Sequence, residues 1–332
     1  SGDLNFNVGI GTTNPDGAVG AALTSKLSVG IVSAYQYYGD GSNLTGAGFS
    51  FDASYNLYAG TNAGKCSDSD TCFNIALGCN AGCCLNSGDR NIIMGDCAGR
   101  CVTSGSRNIL MGKCAAGQTT VTGRLNTALG EHAASCLTSG CYNQFFGYYT
   151  GKGHGSGGIT GNHNIAMGCK ALHDISSGSS NIVIGELAGE NLTTASNNVI
   201  LGRSAGELGT LTGDSNVLLG YYAGRYLAGG TKNVIAGYDS GGALTSGSCN
   251  VFLGTGVAGN STTGNYNIAF GKSALGTCDV TGAQNIALGT EAGAKTTSAA
   301  DNIAIGCRAL GGAITTGDDN VAIGAMAGCG LT

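Results

Sequence analysis

One short phrase recurs through most of this chain: Asn, an apolar residue, any residue, a second apolar residue and Gly. Consecutive asparagines of the phrase are 17 or 18 residues apart, except for one spacing of 21, and Gly follows each of them four residues later. A strict short period of this kind predicts a solenoid, in which each unit forms one coil and packs only against its neighbours. The sixteen copies begin at Asn56, Asn74, Asn91, Asn108, Asn126, Asn143, Asn164, Asn181, Asn198, Asn216, Asn233, Asn250, Asn267, Asn285, Asn302 and Asn320.

The phrase itself has the character of a β-strand. It is too short for a helix, it is rich in Ile and Val, and turn residues flank it on both sides. We therefore predict an all-β chain in which residues 56–332 form a parallel β-solenoid of about sixteen coils. Residues 1–55 do not follow the period and are predicted to form a separate N-terminal capping module.

The strand pattern also predicts an assembly. Side chains alternate along a strand, and we assign the residues one and three positions after Asn, such as Ile75 and Leu77, to the inside of the coil. The residue two positions after Asn then faces outward, yet it is rarely polar. Because a strand that is apolar on both faces is covered on both faces, we predict that further copies of the chain cover this column. The predicted interface residues are Ile93, Leu110, Phe145, Val183, Ile200, Leu218, Ile235 and Phe252. The Asn column is predicted to form an amide ladder from coil to coil.

Composition excludes several classes. The chain has 62 Gly but a single Pro, which excludes collagen. With 42% hydrophobic and only 11% charged residues it is unlike a disordered chain. A net charge of −5 without a basic stripe argues against nucleic acid as a partner. No run of about 18 apolar residues is present, so membrane insertion is not expected.

Two phrases near the N-terminus, Val8-Gly9-Ile10-Gly11-Thr12-Thr13-Asn14-Pro15 and Tyr38-Gly39-Asp40-Gly41-Ser42-Asn43-Leu44-Thr45-Gly46, resemble the short β modules of phage-type tail fibres. The repeat is similar to the arrays of those fibres and to the head repeats of trimeric autotransporter adhesins. The resemblance implies a left-handed β-roll in a homotrimeric fibre on a virion or outside the cell. The coil here is longer than the adhesin head repeat.

Fifteen cysteines favour disulfides over a metal site, because no Cys-x-x-Cys pair is present. Cys97 and Cys114 occupy the same position in adjacent coils, which stack within disulfide distance, and they form our first predicted pair. Oxidised pairing would indicate an extracellular or virion setting. Small buried thiols are the competing interpretation. The further candidate pairs are Cys84–Cys101, Cys66–Cys84, Cys66–Cys72 and Cys136–Cys141.

Other candidate sites are weaker. Asn43, Asn191 and Asn260 begin Asn-x-Ser/Thr glycosylation sequons. His154 and His163 flank the one long spacing, where a loop is either a contact site or a tolerated insertion. Neither a metal site, a cofactor site nor a catalytic constellation is predicted, and we do not expect an enzyme.

Four functions compete. The first is a structural subunit of an extracellular or virion fibre. The second is an adhesin that recognises a host glycan or protein, for which Tyr148, Tyr149, Tyr221, Tyr222 and Tyr226 could stack on sugar rings. A left-handed β-helix acyltransferase would repeat a hexapeptide three times per coil, and an ice-binding solenoid would carry Thr along a strand; this chain does neither.

The C-terminal end also bears on the partners. The sequence stops partway through a coil, which predicts an open edge. Either the polypeptide continues beyond this point, or the N-terminal module of a next subunit caps the edge. The second option would build a head-to-tail filament.

Overall fold

The computed structural model describes residues 51–154 and 157–331, and all of the regular secondary structure in these ranges is β. Nearly all of the predicted N-terminal module, including Asn43, lies outside the described residues. Sixteen strands follow one another, one for each Asn phrase. They are β1 Leu57–Ala59, β2 Ile75–Leu77, β3 Ile92–Met94, β4 Ile109–Met111, β5 Thr127–Leu129, β6 Gln144–Phe146, β7 Ile165–Met167, β8 Ile182–Ile184, β9 Val199–Leu201, β10 Val217–Leu219, β11 Val234–Ala236, β12 Val251–Leu253, β13 Ile268–Phe270, β14 Ile286–Leu288, β15 Ile303–Ile305 and β16 Val321–Ile323.

The strands form one parallel sheet in chain order, from β1 to β16. Equivalent positions of successive phrases pair directly, so that Ile182 stands beside Val199 and Val183 beside Ile200. The predicted parallel β-solenoid is therefore confirmed. Each strand has only three residues, because the flanking Asn and Gly belong to the turns. Handedness and the number of chains remain predictions.

The Asn side chains form the ladder that the sequence predicts. The side-chain Oδ1 of Asn181 accepts the backbone N–H of Asn198 at 3.0 Å and its Nδ2 at 3.1 Å. The Nδ2 of Asn181 donates to Oδ1 of Asn164 at 3.0 Å and to the carbonyl of Ala195 at 2.8 Å. The same pattern recurs along the array, and these amides are buried. Each coil is thereby bonded through one side chain to the coil before it and the coil after it.

The first rung of the ladder ends on a carboxylate. Asp52 Oδ1 accepts the backbone N–H of Asn56 at 2.8 Å and its Nδ2 at 3.2 Å. These are the two bonds that an Asn of a preceding coil would otherwise accept. Asp52 therefore caps the ladder at its N-terminal end.

The predicted facing of the strands is wrong. In β2–β16 the residue two positions after Asn points into the coil and is buried, whereas the residues one and three positions after Asn point outward; in β1 the corresponding Tyr58 is half-buried. The reason is the two-residue period of a strand: the buried Asn shares its side with the residue two positions later. All eight predicted interface residues are 0% exposed and belong to the core of the single chain. They are Ile93, Leu110, Phe145, Val183, Ile200, Leu218, Ile235 and Phe252.

In several coils, the sizes of two interior residues compensate for each other. Leu stands eight positions after Asn only in coils that have Ala two positions after Asn, such as Ala166. These leucines are Leu172, Leu275 and Leu310. Where the strand instead supplies Phe145, the eighth residue is Gly151, and a Cβ there would lie 2.3 Å from the Phe145 ring. In these coils a large residue at one of the two positions is matched by a small residue at the other, as close packing requires.

The turns contain many residues with positive φ. The residue before Asn has φ near +60° in every coil, and these residues include Arg90, Ser180 and Tyr266. Most L-residues pay an energetic cost for this conformation. The Gly four positions after Asn has a still more extreme backbone, as with Gly185 at φ +138°, where a Cβ would lie 2.6 Å from the carbonyl oxygen of Gly202. Glycine in this column allows adjacent coils to approach backbone to backbone.

Candidate functional site

The outward sheet surface is chemically uniform along the array. We call it the outer sheet face and define it as the side chains one and three positions after each Asn, on β1–β16. Apart from Thr127 and Gln144, every residue in these two columns is apolar and none is charged. Several remain well exposed, including Ile182 at 39% and Ile184 at 40%. A continuous apolar surface of this length is characteristic of an interaction site.

A second surface is basic. Arg90, Arg107 and Arg124 come from three successive coils and line one open depression. Its remaining lining residues are Asp89, Ser104, Ser106 and Thr122. We call this the arginine groove. All three arginines are exposed, and no carboxylate of the described residues lies within 4.0 Å of their side-chain nitrogens. The groove therefore concentrates positive charge in a chain that is acidic overall.

A third surface is aromatic. Tyr221 and Tyr222 stack with ring centroids 3.9 Å apart, and Tyr238 of the next coil lies 5.6 Å from Tyr221. The guanidinium of Arg225 lies 4.3 Å from the Tyr222 ring centroid, in a cation–π contact. Tyr226 and Tyr238 are exposed. Of the other tyrosines predicted for sugar stacking, Tyr148 packs edge-on against Tyr149 in a separate cluster.

All fifteen cysteines lie within the described residues, and all are free thiols. The predicted disulfides are therefore not formed. Burial, followed by the neighbouring Cys101, raises the pKa of Cys84, which favours the thiol over the thiolate that disulfide exchange requires. Burial, followed by a hydrogen bond to Asp96, has the same effect on the pKa of Cys97. The pairs not formed are Cys97–Cys114, Cys84–Cys101, Cys66–Cys84, Cys66–Cys72 and Cys136–Cys141.

The local pair illustrates why proximity in sequence misleads here. Cys136 Sγ donates to the Gln118 side chain at 3.5 Å, whereas Cys141 Sγ donates to the Ser139 carbonyl at 3.3 Å. The two thiols thus have different partners. The predicted disulfides were the basis for expecting an oxidising compartment. Because the cysteines are free, they give no support to an extracellular location.

The histidines beside the long spacing do not meet in one site. His154 Nδ1 lies 3.7 Å from Asp174, which also contacts His173 at 2.6 Å. His163 instead stacks on Tyr142, with centroids 4.9 Å apart. Within residues 51–154 and 157–331, no group of three or more His, Cys, Asp or Glu side chains is arranged to hold a metal ion.

Two sequons lie in the described part of the chain. The Nδ2 atom that would carry a glycan donates to the carbonyl of the next coil in both: Asn191 to Glu207 at 2.8 Å and Asn260 to Gly276 at 3.0 Å. Glycosylation at either asparagine would break that bond. Among the described residues, no helix is long and apolar enough to cross a membrane.

Comparison with known proteins adds no relative: no protein-family model matches the sequence, and no curated protein matches it.

Proposed function

We propose that this chain is a non-catalytic structural subunit of an extracellular or virion fibre and that it assembles with further copies of itself. The observation that supports the proposal is the outer sheet face, which is apolar along its sixteen consecutive strands apart from Thr127 and Gln144 and carries no charge. We still propose an assembly, but the corrected strand facing places its interface on the other side of the strands. The extracellular or virion location and the number of three chains rest on the resemblance to fibre repeats.

The dimensions of the face suit a stable association. Three residues span about 10 Å along each strand, and sixteen stacked strands extend about 72 Å. The face thus offers about 700 Å² on each chain, close to the contribution of one partner in a standard protein–protein interface. An apolar face of this length left in solvent would also be an aggregation hazard.

The test introduces charge on this face. Ile182→Glu and Ile184→Glu change outward side chains of β8, and Leu208→Glu is the matched control, because Leu208 is 40% exposed but lies in a turn. Light scattering after size exclusion should show an oligomer for the unmodified chain and for the control. The two sheet variants should dissociate to monomers. If all three variants retain the mass of the unmodified chain, the outer sheet face is not the interface.

An adhesin is the second candidate, and the tyrosine surface around Tyr221, Tyr222 and Tyr238 favours it. The exposed ring of Tyr238 lies beside the half-buried stack of Tyr221 and Tyr222, which Arg225 also contacts, and together these rings offer a preformed surface for sugar rings. A glycan array would test this function. Tyr238→Ala should lower the signal of any bound glycan, while Tyr266→Ala, an equally exposed tyrosine elsewhere on the array, should not. Equal losses in both variants would argue against a site at Tyr238.

A further inference from the structure

We propose that the arginine groove is a binding site for a sulfate or phosphate ester group. The groove lies on the turns that precede the Asn phrases of β3, β4 and β5. One chain supplies every residue of the site, so the proposal does not depend on assembly or on the fibre function.

The arginines of the groove carry unpaired charge. Two exposed arginines elsewhere on the array pair with carboxylates, Arg203 with Glu186 and Arg308 with Glu291, each at 3.2 Å, whereas the exposed Arg100 does not. Arg90, Arg107 and Arg124 have no such partner among the described residues. The spacing of stacked coils places guanidinium groups about 5–10 Å apart along the groove, which is compatible with several of them contacting one polyanionic ligand.

The one carboxylate of the groove is already engaged. Asp89 Oδ1 accepts the backbone N–H of Cys72 at 2.9 Å and so belongs to the turn below. Arg90 is positioned without being neutralised, because its guanidinium lies over the Phe73 ring at 5.4 Å. Both contacts leave the positive side of the groove available to a ligand.

A hydrogen-bond ladder between successive coils is broken in the groove. The residue two positions before Asn usually accepts, through its side chain, the backbone N–H of the equivalent residue one coil earlier. Cys72 N–H is accepted by Asp89, and Asp89 N–H by Ser106 Oγ at 3.1 Å. The next residue in this column is Arg124, whose side chain has no acceptor atom.

The consequence is an open donor inside the groove. The backbone N–H of Ser106 has no acceptor among the described residues. The hydroxyls of Ser104 and Thr122 also line the groove and make no hydrogen bond within the described part of the chain. An oxyanion would supply acceptors to these donors and charge to the guanidiniums. Several lone-pair-bearing oxygens together with full negative charge are the properties of sulfate and phosphate esters, which arginine recognises through paired N–H donors.

The test compares three probes on the whole chain: a sulfated oligosaccharide, its desulfated counterpart, and inorganic phosphate, each measured by titration calorimetry. We expect the sulfated oligosaccharide or phosphate to bind and the desulfated sugar not to bind, and added salt should weaken binding. The probe that binds more tightly identifies the source of the oxyanion. Failure of both anionic probes to bind, or equal binding of the desulfated sugar, would overturn the proposal.

Variants separate this site from general charge effects. Arg107→Gln should weaken binding about tenfold or more, since it removes a charged hydrogen-bond donor. Arg203→Gln makes the same change in charge outside the groove and should leave affinity unchanged. Arg124→Ser restores an acceptor for Ser106 N–H, so it should abolish binding while thermal stability is retained. If Arg203→Gln weakens binding as much as Arg107→Gln does, no specific site exists.

Discussion

The Asn ladder makes a quantitative prediction about stability. Replacing Asn181 by Ala removes four hydrogen bonds at once, two that its Nδ2 donates and two that its Oδ1 accepts. The backbone N–H and one side-chain hydrogen of Asn198 are then left without acceptors in a fully buried position. Each buried donor without a partner costs about 1–3 kcal/mol, so the loss of two acceptor contacts should lower the free energy of unfolding by about 2–6 kcal/mol.

Asn191→Ala is the control for this variant. Asn191 belongs to the same coil, but its side chain makes a single bond, to the carbonyl of Glu207, and it is only half-buried. Its loss should cost about 1 kcal/mol. Guanidinium titrations followed by circular dichroism give the two stability changes, and hydrogen exchange of the Asn198 amide reports the local effect. If Asn181→Ala destabilises the protein no more than Asn191→Ala does, the ladder does not hold the coils together.

Three further perturbations test the backbone and the cap. In thermal unfolding, Gly185→Ala should lower stability by about 3 kcal/mol or more, because its Cβ meets a backbone carbonyl at a φ that only glycine adopts readily. The control Gly189→Ala, at φ +52° and with a nearest contact of 3.3 Å, should lower stability by about 1 kcal/mol. Similar losses in the two variants would contradict the role of Gly185 in the close approach of the coils. Ser180→Gly should raise the free energy of unfolding by about 0.5–1 kcal/mol, because it relieves the strain of a positive φ. Ser179→Gly removes a hydrogen-bond acceptor without relieving strain, so it should lower the free energy of unfolding in the same assay. If both variants are less stable than the unmodified chain, the positive φ of Ser180 is not strained. At Asp52, burial alone would raise the pKa, but hydrogen bonds from the Asn56 and Ser54 amides outweigh it and lower the pKa below the ordinary value of 3.8. The cap therefore stabilises the first coil at pH values above 3.8 and loses this contribution as pH falls through the lowered pKa. In that acidic range, hydrogen-exchange protection of the Asn56 amide should fall, relative to Asp52→Asn at the same pH. An identical pH profile for both proteins would count against the cap.

Much of the fold could be predicted from the sequence because the period is strict. The invariant Asn and Gly define the start and end of each strand, and one parallel strand for each unit follows from a coil that can pack only on its neighbours. The amide ladder was also predictable, since stacked coils bring equivalent asparagines together.

The facing of the strands was missed because both sides are apolar, so hydrophobicity alone carries no information about direction. The buried Asn carried the missing signal. Its ladder must be shielded from water, and Val183, two residues after Asn181, therefore faces inward with it. The presence of Ala at this position in several coils, such as Ala166 and Ala304, is a second signal, since small residues suit a narrow interior.

The candidate surfaces were less accessible to sequence reasoning. Arg90, Arg107 and Arg124 are separated by 17 residues each, and only stacking of the coils brings them into one groove. The cysteine prediction failed for a different reason. Equivalent positions in adjacent coils bring cysteines near one another, but proximity alone does not form a disulfide, and Cys84 is free in the structure.

The central claim is that sister chains cover the outer sheet face, and the mass of the unmodified chain in solution tests it most directly. Sedimentation equilibrium over a dilution series, with and without reductant, should give a multiple of the 32.7 kDa chain mass, three for the assembly proposed above. Reductant should make no difference, because the thiols are free. A stable monomer of 32.7 kDa at all concentrations, with the apolar strands facing water, would contradict the account.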